Sequence, residues 1–444
     1  MKYPLIRVEP PGPKAREIIE RDLRFLMQSF SRWYPLVVKE ANGFLVKDVD
    51  NNVYIDFNSG IAVTSVGHRH PKVIDAIRKQ LDKFLHYSLT DFLYEEPLKL
   101  AQKLFEISPG RYEKKVFFSN SGAEAIEASL KVARGHFRGK RPHVISFIGS
   151  FHGRTFGSLS LTSSKPVQRR WFGPLLPGIY HVPYPYCFRC PYKQDYPECD
   201  IWCVDFIEEW LFNKFLPPEE VSAFVFEPIV GEGGYIVPPK EFFPRLKRLA
   251  DKHDILLIDD EIQSGIGRTG KWFAIEHWKV EPDIIAMAKA IAGGLPLGVT
   301  LGNSKVMDLP PGSHASTFGG NPVSCAAANA VIEVIKTERL LDNAKNLGEY
   351  VLKRLKEMKE EYEVIGDVRG LGLMIGIEIV KDKETLEPYP DLVRKVLLNS
   401  FKNGLLIIGA GKSAIRISPP LIIEKEAIDK GLEILENSLK KALN

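Results

Sequence analysis

The chain has 444 residues, 44% of them apolar and 26% charged, a balance that fits a folded protein with a substantial core and excludes a largely disordered one. Sixty Lys and Arg stand against 56 Asp and Glu, a formal charge of +4 spread over the whole length, which is no footprint of a nucleic-acid binder. No apolar run reaches the ~18 residues of a membrane helix, and Met1-Lys2-Tyr3-Pro4 leads into Pro10-Pro11-Gly12-Pro13 rather than an apolar signal segment, so a cytoplasmic protein is expected. The first stretch, to about Phe57, reads as an arm with a helix over 14–28 and a hairpin around 48–52. Short apolar runs at 116–118, 143–147, 223–226, 255–258 and 284–286 then alternate with amphipathic stretches such as 123–137 and 242–253. Continuous apolar strands alternating with helices predict a parallel sheet covered on both faces. From about Asn321 the texture changes to an Ala-rich helix at 326–335, a second helix at 341–362, and short strands from Val368 and at 415–417, the pattern of a smaller α+β domain. The expected division is 1–60 as arm and part of the small domain, 61–330 as the large domain, and 331–444 as the C-terminal small domain.

Six motifs carry candidate chemistry. Ser119-Asn120-Ser121-Gly122-Ala123-Glu124 follows an apolar strand and opens a helix. Ser121 and Glu124 have capping-box spacing, Gly122 permits close backbone approach, and free amides at a helix start suit a phosphate; a capped helix without a ligand reads the same way. Phe151-His152-Gly153-Arg154 sits just past a strand, where α/β folds place sites, although a packed aromatic beside a solvated arginine is the plainer reading. Asp259-Asp260-Glu261 follows the buried run 255–258, an expensive place for acids unless a protonated ring nitrogen, a metal or an arginine meets them; a helix N-terminus also favours negative charge. Lys289 lies between an apolar run and a glycine turn, surroundings that lower an amine pKa and make it nucleophilic, or that let it snorkel at a strand end. Ser316-Thr317-Phe318-Gly319-Gly320 offers hydroxyls and flexible amides before a helix, and Arg416 stands alone in the apolar strand Ile415-Arg416-Ile417, where it needs an anionic partner.

In identity and order these motifs closely resemble the class III (4-aminobutyrate- and ornithine-type) aminotransferases of fold type I, which use pyridoxal 5'-phosphate. The resemblance covers almost the whole chain. It runs from 49–57 through Gly60-Ile61-Ala62-Val63 and Gly67-His68-Arg69-His70-Pro71 to Asp260-Glu261-Ile262-Gln263 and Gly267-Arg268-Thr269-Gly270. It implies an α/β large domain, with a mixed, mostly parallel sheet covered by helices, and a smaller α+β domain from the C-terminus and the N-terminal arm. By the same resemblance Lys289 holds the cofactor covalently and moves the substrate proton, and Asp260 keeps the ring nitrogen protonated, so that the ring draws electrons from the substrate carbon. Gln263 would hydrogen-bond the ring oxygen, Phe151 would stack on the ring with His152 nearby, and Gly122 and Ala123 would give amides to the phosphate. Thr317 would reach the phosphate of a neighbouring subunit, which implies a homodimer with shared sites. Arg416 resembles the arginine that takes an α-carboxylate in a bidentate fork. Glu227, in Phe226-Glu227-Pro228, resembles the acid that pairs with that arginine when the carboxylate is absent. Arg154 matches an arginine that can hold a distal carboxylate, and Ile61 occupies a gating position where many ornithine enzymes carry Tyr.

The implied activity moves an amino group from a 4-aminobutyrate-like ω-amino donor, or an α-amino donor, to a 2-oxo acid, with 2-oxoglutarate the expected acceptor. The family also holds amino-acid racemases and epimerases, from which the cofactor motifs do not separate it. Cys187, Cys190, Cys199 and Cys203 crowd into one segment as C-x2-C-x8-C-x3-C, with Cys325 apart. Structural zinc, an iron–sulfur cluster, two disulfides or packed reduced thiols all suit that spacing. No direct catalytic role is expected of them.

Overall fold

The computed structural model describes residues 3–444. Its strands form three sheets. Near the N-terminus β1 (Val38–Asn42), β2 (Leu45–Asp48) and β3 (Val53–Asp56) make an antiparallel meander. The central sheet holds β4 (Lys114–Ser119), β5 (His143–Ile148), β6 (Ile179–Pro183), β7 (Val221–Phe226), β8 (Leu256–Asp260), β9 (Ile284–Met287) and β10 (Gly298–Asn303), in the order β4-β10-β9-β8-β7-β5-β6. The third sheet is antiparallel, with β11 (Ile365–Leu371), β12 (Met374–Ile379), β14 (Ile408–Ala410) and β15 (Ala414–Ile417) in the order β11-β12-β15-β14. The short β13 (Leu405–Leu406) instead lies parallel to β3, so the chain's two ends share one sheet.

The central sheet is buried on both faces, which is why its strands read as unbroken apolar runs. Side chains alternate across a strand. Ala223 and Val225 therefore pack with Ile126, Leu130 and Ala133 of the helix Gly122–His136, while Phe224 and Phe226 pack into the other core with Phe242, Phe243 and Leu246 of the helix Phe242–His253. The periodic apolar stripe of that second helix buries Phe242, Phe243, Leu246, Leu249 and Ala250, one face at helical spacing.

One local expectation changes. The N-terminal helix spans Pro13–Phe25 and stops short of residue 28, because Leu26 turns extended and the Gln28 amide folds back onto the Asp22 and Leu26 carbonyls. The central sheet is mixed and mostly parallel, as the resemblance implies: β6, β5, β7, β8 and β9 run parallel, but β10 is antiparallel to both β9 and β4. The link from β9 to β10 carries only a short helical turn, Lys289–Ala292, and a parallel crossover needs roughly a dozen residues or more. Among the described residues no helix is long and apolar enough to cross a membrane.

Candidate cofactor and substrate site

Because β5, β7, β8 and β9 are parallel, their C-terminal ends meet on one edge of the sheet, where α/β folds gather ligands. The segments leaving those ends enclose a cavity of about 420 Å³. Nine of the residues singled out in the sequence line it: Gly122, Ala123, Phe151, His152, Arg154, Glu227, Asp260, Gln263 and Lys289.

Lys289 begins the helical turn after β9 with φ 42°, a left-handed conformation rare for a side chain with a Cβ. Burial pushes its ammonium pKa down, with Asp260 and Glu227 pulling the other way. Asp260 ends β8 and is buried; it accepts the Nδ1–H of His152 at 2.7 Å and the backbone N–H of Ile262 at 3.1 Å. The far nitrogen of His152, Nε2, is buried without a partner. The flanking acids never reach the cavity wall. Burial pushes the Glu261 carboxyl up to about 8 while it takes hydrogen bonds from Ser264 and the Ile275 amide. Asp259, with neither oxygen partnered, is raised well above the usual range by burial and by Glu261 and Asp260. Burial thus favours the neutral form of both flanking acids.

Opposite them the helix Gly122–His136 presents its N-terminus. Ser121 caps it, accepting the Glu124 amide at 3.2 Å, and the Glu124 carboxylate accepts the Asn120 amide at 2.5 Å. A Cβ on Gly122 would lie 2.9 Å from the tip of the Ile262 side chain, so glycine lets that side chain pack against the helix start. Gln263 accepts the Tyr235 hydroxyl at 2.9 Å. Phe151 carries the Arg154 guanidinium over its ring at 5.4 Å.

The substrate side differs from expectation. Glu227 does not pair with Arg416. Its two oxygens accept the amides of Phe151 at 2.8 Å and Gly231 at 3.0 Å, and burial together with Asp260 pushes its carboxyl up to about 7. Arg416, buried on β15, instead binds Glu232 through Nη2 at 3.0 Å. Glu232 also binds Lys165 at 2.7 Å. Burial alone would raise the Glu232 carboxyl, but the two cations outweigh it and hold the pKa below the usual value. The physical reason is position: Glu227 directly follows β7 and stays beneath the Phe151 segment, whereas the glycine-flanked run Gly231-Glu232-Gly233-Gly234 carries the next acid out to Arg416. An acid set among glycines past a strand end was the available signal. Tyr235, also unforeseen, lies under the Arg416 guanidinium at 5.9 Å.

Three of the residues singled out, Arg416, Ile61 and Thr317, are not part of the cavity wall. Ile61, at φ 69° and half exposed, is not part of the cavity wall, and Val63 takes that place. Thr317 sits on an exposed loop and does not reach this cavity. The four clustered cysteines line a separate small cavity and carry no disulfide. Burial pushes the Cys187 thiol up to about 11 and the Cys203 thiol up to about 12. Among the described residues no three His, Cys, Asp or Glu side chains are placed to hold a metal ion.

A mixed sheet with a buried lysine at one strand end, an acid–histidine pair beside it and a helix N-terminus across the cavity defines a pyridoxal-phosphate enzyme of fold type I. The chain belongs to the class III aminotransferases: the family model "Aminotransferase class-III" matches residues 27–439. It is 43% identical to an alanine/serine racemase of Pyrococcus horikoshii, over 100% of this chain and 94% of the relative. It is 44% identical to a leucine/methionine racemase of Thermococcus litoralis, over 96% of each, and 37% identical to a probable 4-aminobutyrate aminotransferase of Bacillus subtilis, over 94% and 96%. Among solved structures, an amine transaminase from an uncultivated Pseudomonas species in its PLP-bound form superposes with a TM-score of 0.86 at 31% identity, covering 94% of this chain and 98% of that one. Membership makes pyridoxal 5'-phosphate the cofactor, and the residues present fit it. His152 with its unpartnered Nε2, Asp260, the helix start at Gly122 and Lys289 all line one cavity.

Proposed function

We propose that the chain is an aminotransferase that takes an amino group from an ω-amino or α-amino donor and passes it to a 2-oxo acid, 2-oxoglutarate foremost. The Arg416–Glu232 pair carries this reading. A transferase must admit two unlike substrates to one site in turn. An α-carboxylate calls for a free guanidinium, whereas an ω-amino donor has no carboxylate beside its reacting carbon and would leave that buried cation unpaired, at a cost of several kcal/mol. Glu232 supplies the missing anion from within the chain and, when a substrate carboxylate displaces it, remains paired with Lys165.

The other roles follow from chemistry. Bound pyridoxal phosphate supplies an electron-withdrawing ring that acidifies the amino-bearing carbon of the substrate. Lys289 binds the cofactor, and its Nζ, biased toward the neutral form by burial, carries the proton away from that carbon. Asp260 holds the ring-nitrogen proton, and His152 fixes the orientation of Asp260 through their 2.7 Å bond. Gln263 meets the ring oxygen, Phe151 covers the ring face, Gly122 and Ala123 offer amides to the phosphate, and Arg154 meets a distal carboxylate. Thr317 acts, in this reading, across a dimer in which each subunit completes its neighbour's site, and Ile61 gates the substrate.

A donor screen with 2-oxoglutarate over 4-aminobutyrate, ornithine, lysine and α-amino acids tests the proposal, with glutamate formation strictly dependent on the oxo acid expected. The second reading, racemisation, is favoured by the two racemases at 43% and 44% identity. It requires a proton to leave one face of the carbon and return on the other, and Glu232 lies near enough to Lys289 to bias its charge. Repeated conversion of a single L-amino acid into its D-enantiomer, without any oxo acid, would decide for that reading and against transfer.

A further inference from the structure

We propose that Arg369, which lies outside the cavity, is the positioning residue of the substrate switch: its guanidinium clamps the turn that carries Glu232 and Tyr235. The proposal rests on the reading of Arg416–Glu232 given above. Arg369 stands on β11 and spends its donors on four acceptors. Nε bonds the Tyr235 carbonyl at 3.1 Å, Nη2 bonds the Gly234 carbonyl at 2.6 Å and Glu378 at 2.8 Å, and Nη1 bonds Asp367 at 2.8 Å. The clamped backbone is strained. Gly234 has φ +136° and Tyr235, which has a Cβ, has φ 54°, a conformation that persists only where its surroundings impose it. Each end of this turn reaches the site. Glu232 meets Arg416, while the Tyr235 ring lies under the same guanidinium and its hydroxyl holds Gln263.

The clamp is itself anchored. Glu378, buried on β12, collects hydrogen bonds from Arg369, from the Tyr186 hydroxyl at 2.7 Å, from Arg189 at 3.2 Å and from Ser413 at 3.2 Å. The Arg369 guanidinium lies over the Tyr186 ring at 5.0 Å. Tyr186 and Arg189 flank Cys187, so the cysteine-bearing segment is docked against the back of the clamp. A planar fork can bridge two neighbouring carbonyls and a carboxylate at once, whereas an ammonium acts as a single point charge. Lysine is therefore a poor substitute here, although it preserves the charge.

The test uses the full-length holoenzyme with Arg369→Lys and Arg369→Met, and Glu378→Gln as a milder variant should either fail to fold. Two readouts are taken. The first is hydrogen exchange of the 231–236 amides, with the helix Pro322–Thr337 as an internal control. The second is KM for 2-oxoglutarate against KM for an ω-amino donor. In the Arg369 variants the turn amides should exchange on the order of tenfold faster while the control helix is unchanged, and KM for an ω-amino donor should rise on the order of tenfold, as misplacement of binding groups predicts, with KM for the oxo acid moving far less. Glu378→Gln should shift both readouts in the same direction by less. Wild-type exchange at 231–236 in a folded Arg369 variant, or equal changes in both KM values, would overturn the proposal. If the wild-type enzyme racemises instead of transferring, the exchange result still stands by itself, so failure of the clamp and failure of the transfer reading are told apart.

Discussion

The cavity and the ion pair beside it are assembled in different ways. Lys289 and Asp260 stand at the ends of adjacent strands of one sheet, and His152 joins Asp260 from the segment after β5. Arg416 and Glu232 come from the antiparallel sheet and from the turn beyond β7, 184 residues apart in sequence. The first arrangement follows once the central sheet has formed; the second exists only when two sheets have docked. That separation puts the proposed substrate-binding pair in a different sheet from the proposed electron-sink residues.

The sharpest way to break this comparison is to remove the lysine. Lys289→Ala should reduce kcat by about 10³–10⁴ or more, the scale of a lost base and nucleophile, while its melting temperature stays near wild type; steady-state rates beside thermal unfolding check this. Asp260→Asn should keep bound cofactor, visible in the absorbance spectrum, and lose on the order of 10²–10³ in kcat. Changes to the ion pair should be smaller and should fall on KM. Arg416→Lys should raise KM for the 2-oxo acid by roughly 10- to 100-fold, the range of a lost charged hydrogen bond, with little effect on an ω-amino donor. Glu232→Gln should do the reverse: with no internal anion to displace, KM for the oxo acid should fall by about two- to fivefold, a modest ion-pair contribution, while the ω-amino donor is used less well.

The smallest effect concerns pH. The Glu227 carboxyl, ordinarily near 4.5, is pushed up to about 7 by burial and by Asp260. The folded state therefore binds more protons than the unfolded state between those values. The stability contributed by this group is full below about 4.5 and is lost as pH rises through about 7. Melting temperature should decline between pH 5 and 7, and Glu227→Gln should flatten that decline. Glu261, raised to about 8 in the same direction, leaves a residual slope in the variant.

How much could be read in advance follows the same division. The apolar runs marking β5, β7, β8 and β9 were legible because strands buried on both faces must be apolar throughout. The lysine, the acid and the capped helix start follow those runs directly in sequence, so their convergence at one sheet edge was legible too. The antiparallel course of β10 was not predicted from periodicity, which is blind to strand direction; the shortness of its connection carried that information. The partner of Arg416 was misassigned because two acids, Glu227 and Glu232, lie five residues apart, and only the path of the glycine-rich turn decides which of them reaches the guanidinium.

Taken alone, the order of residues settled the layers of the fold, the strand ends that bear chemistry, and the need of a buried arginine for an anion, because burial and periodicity are local demands that every segment must meet for itself. Which anion answers Arg416 and what Arg369 holds in place were decided only by tertiary structure. Each depends on where a distant backbone comes to rest after the sheets have packed together.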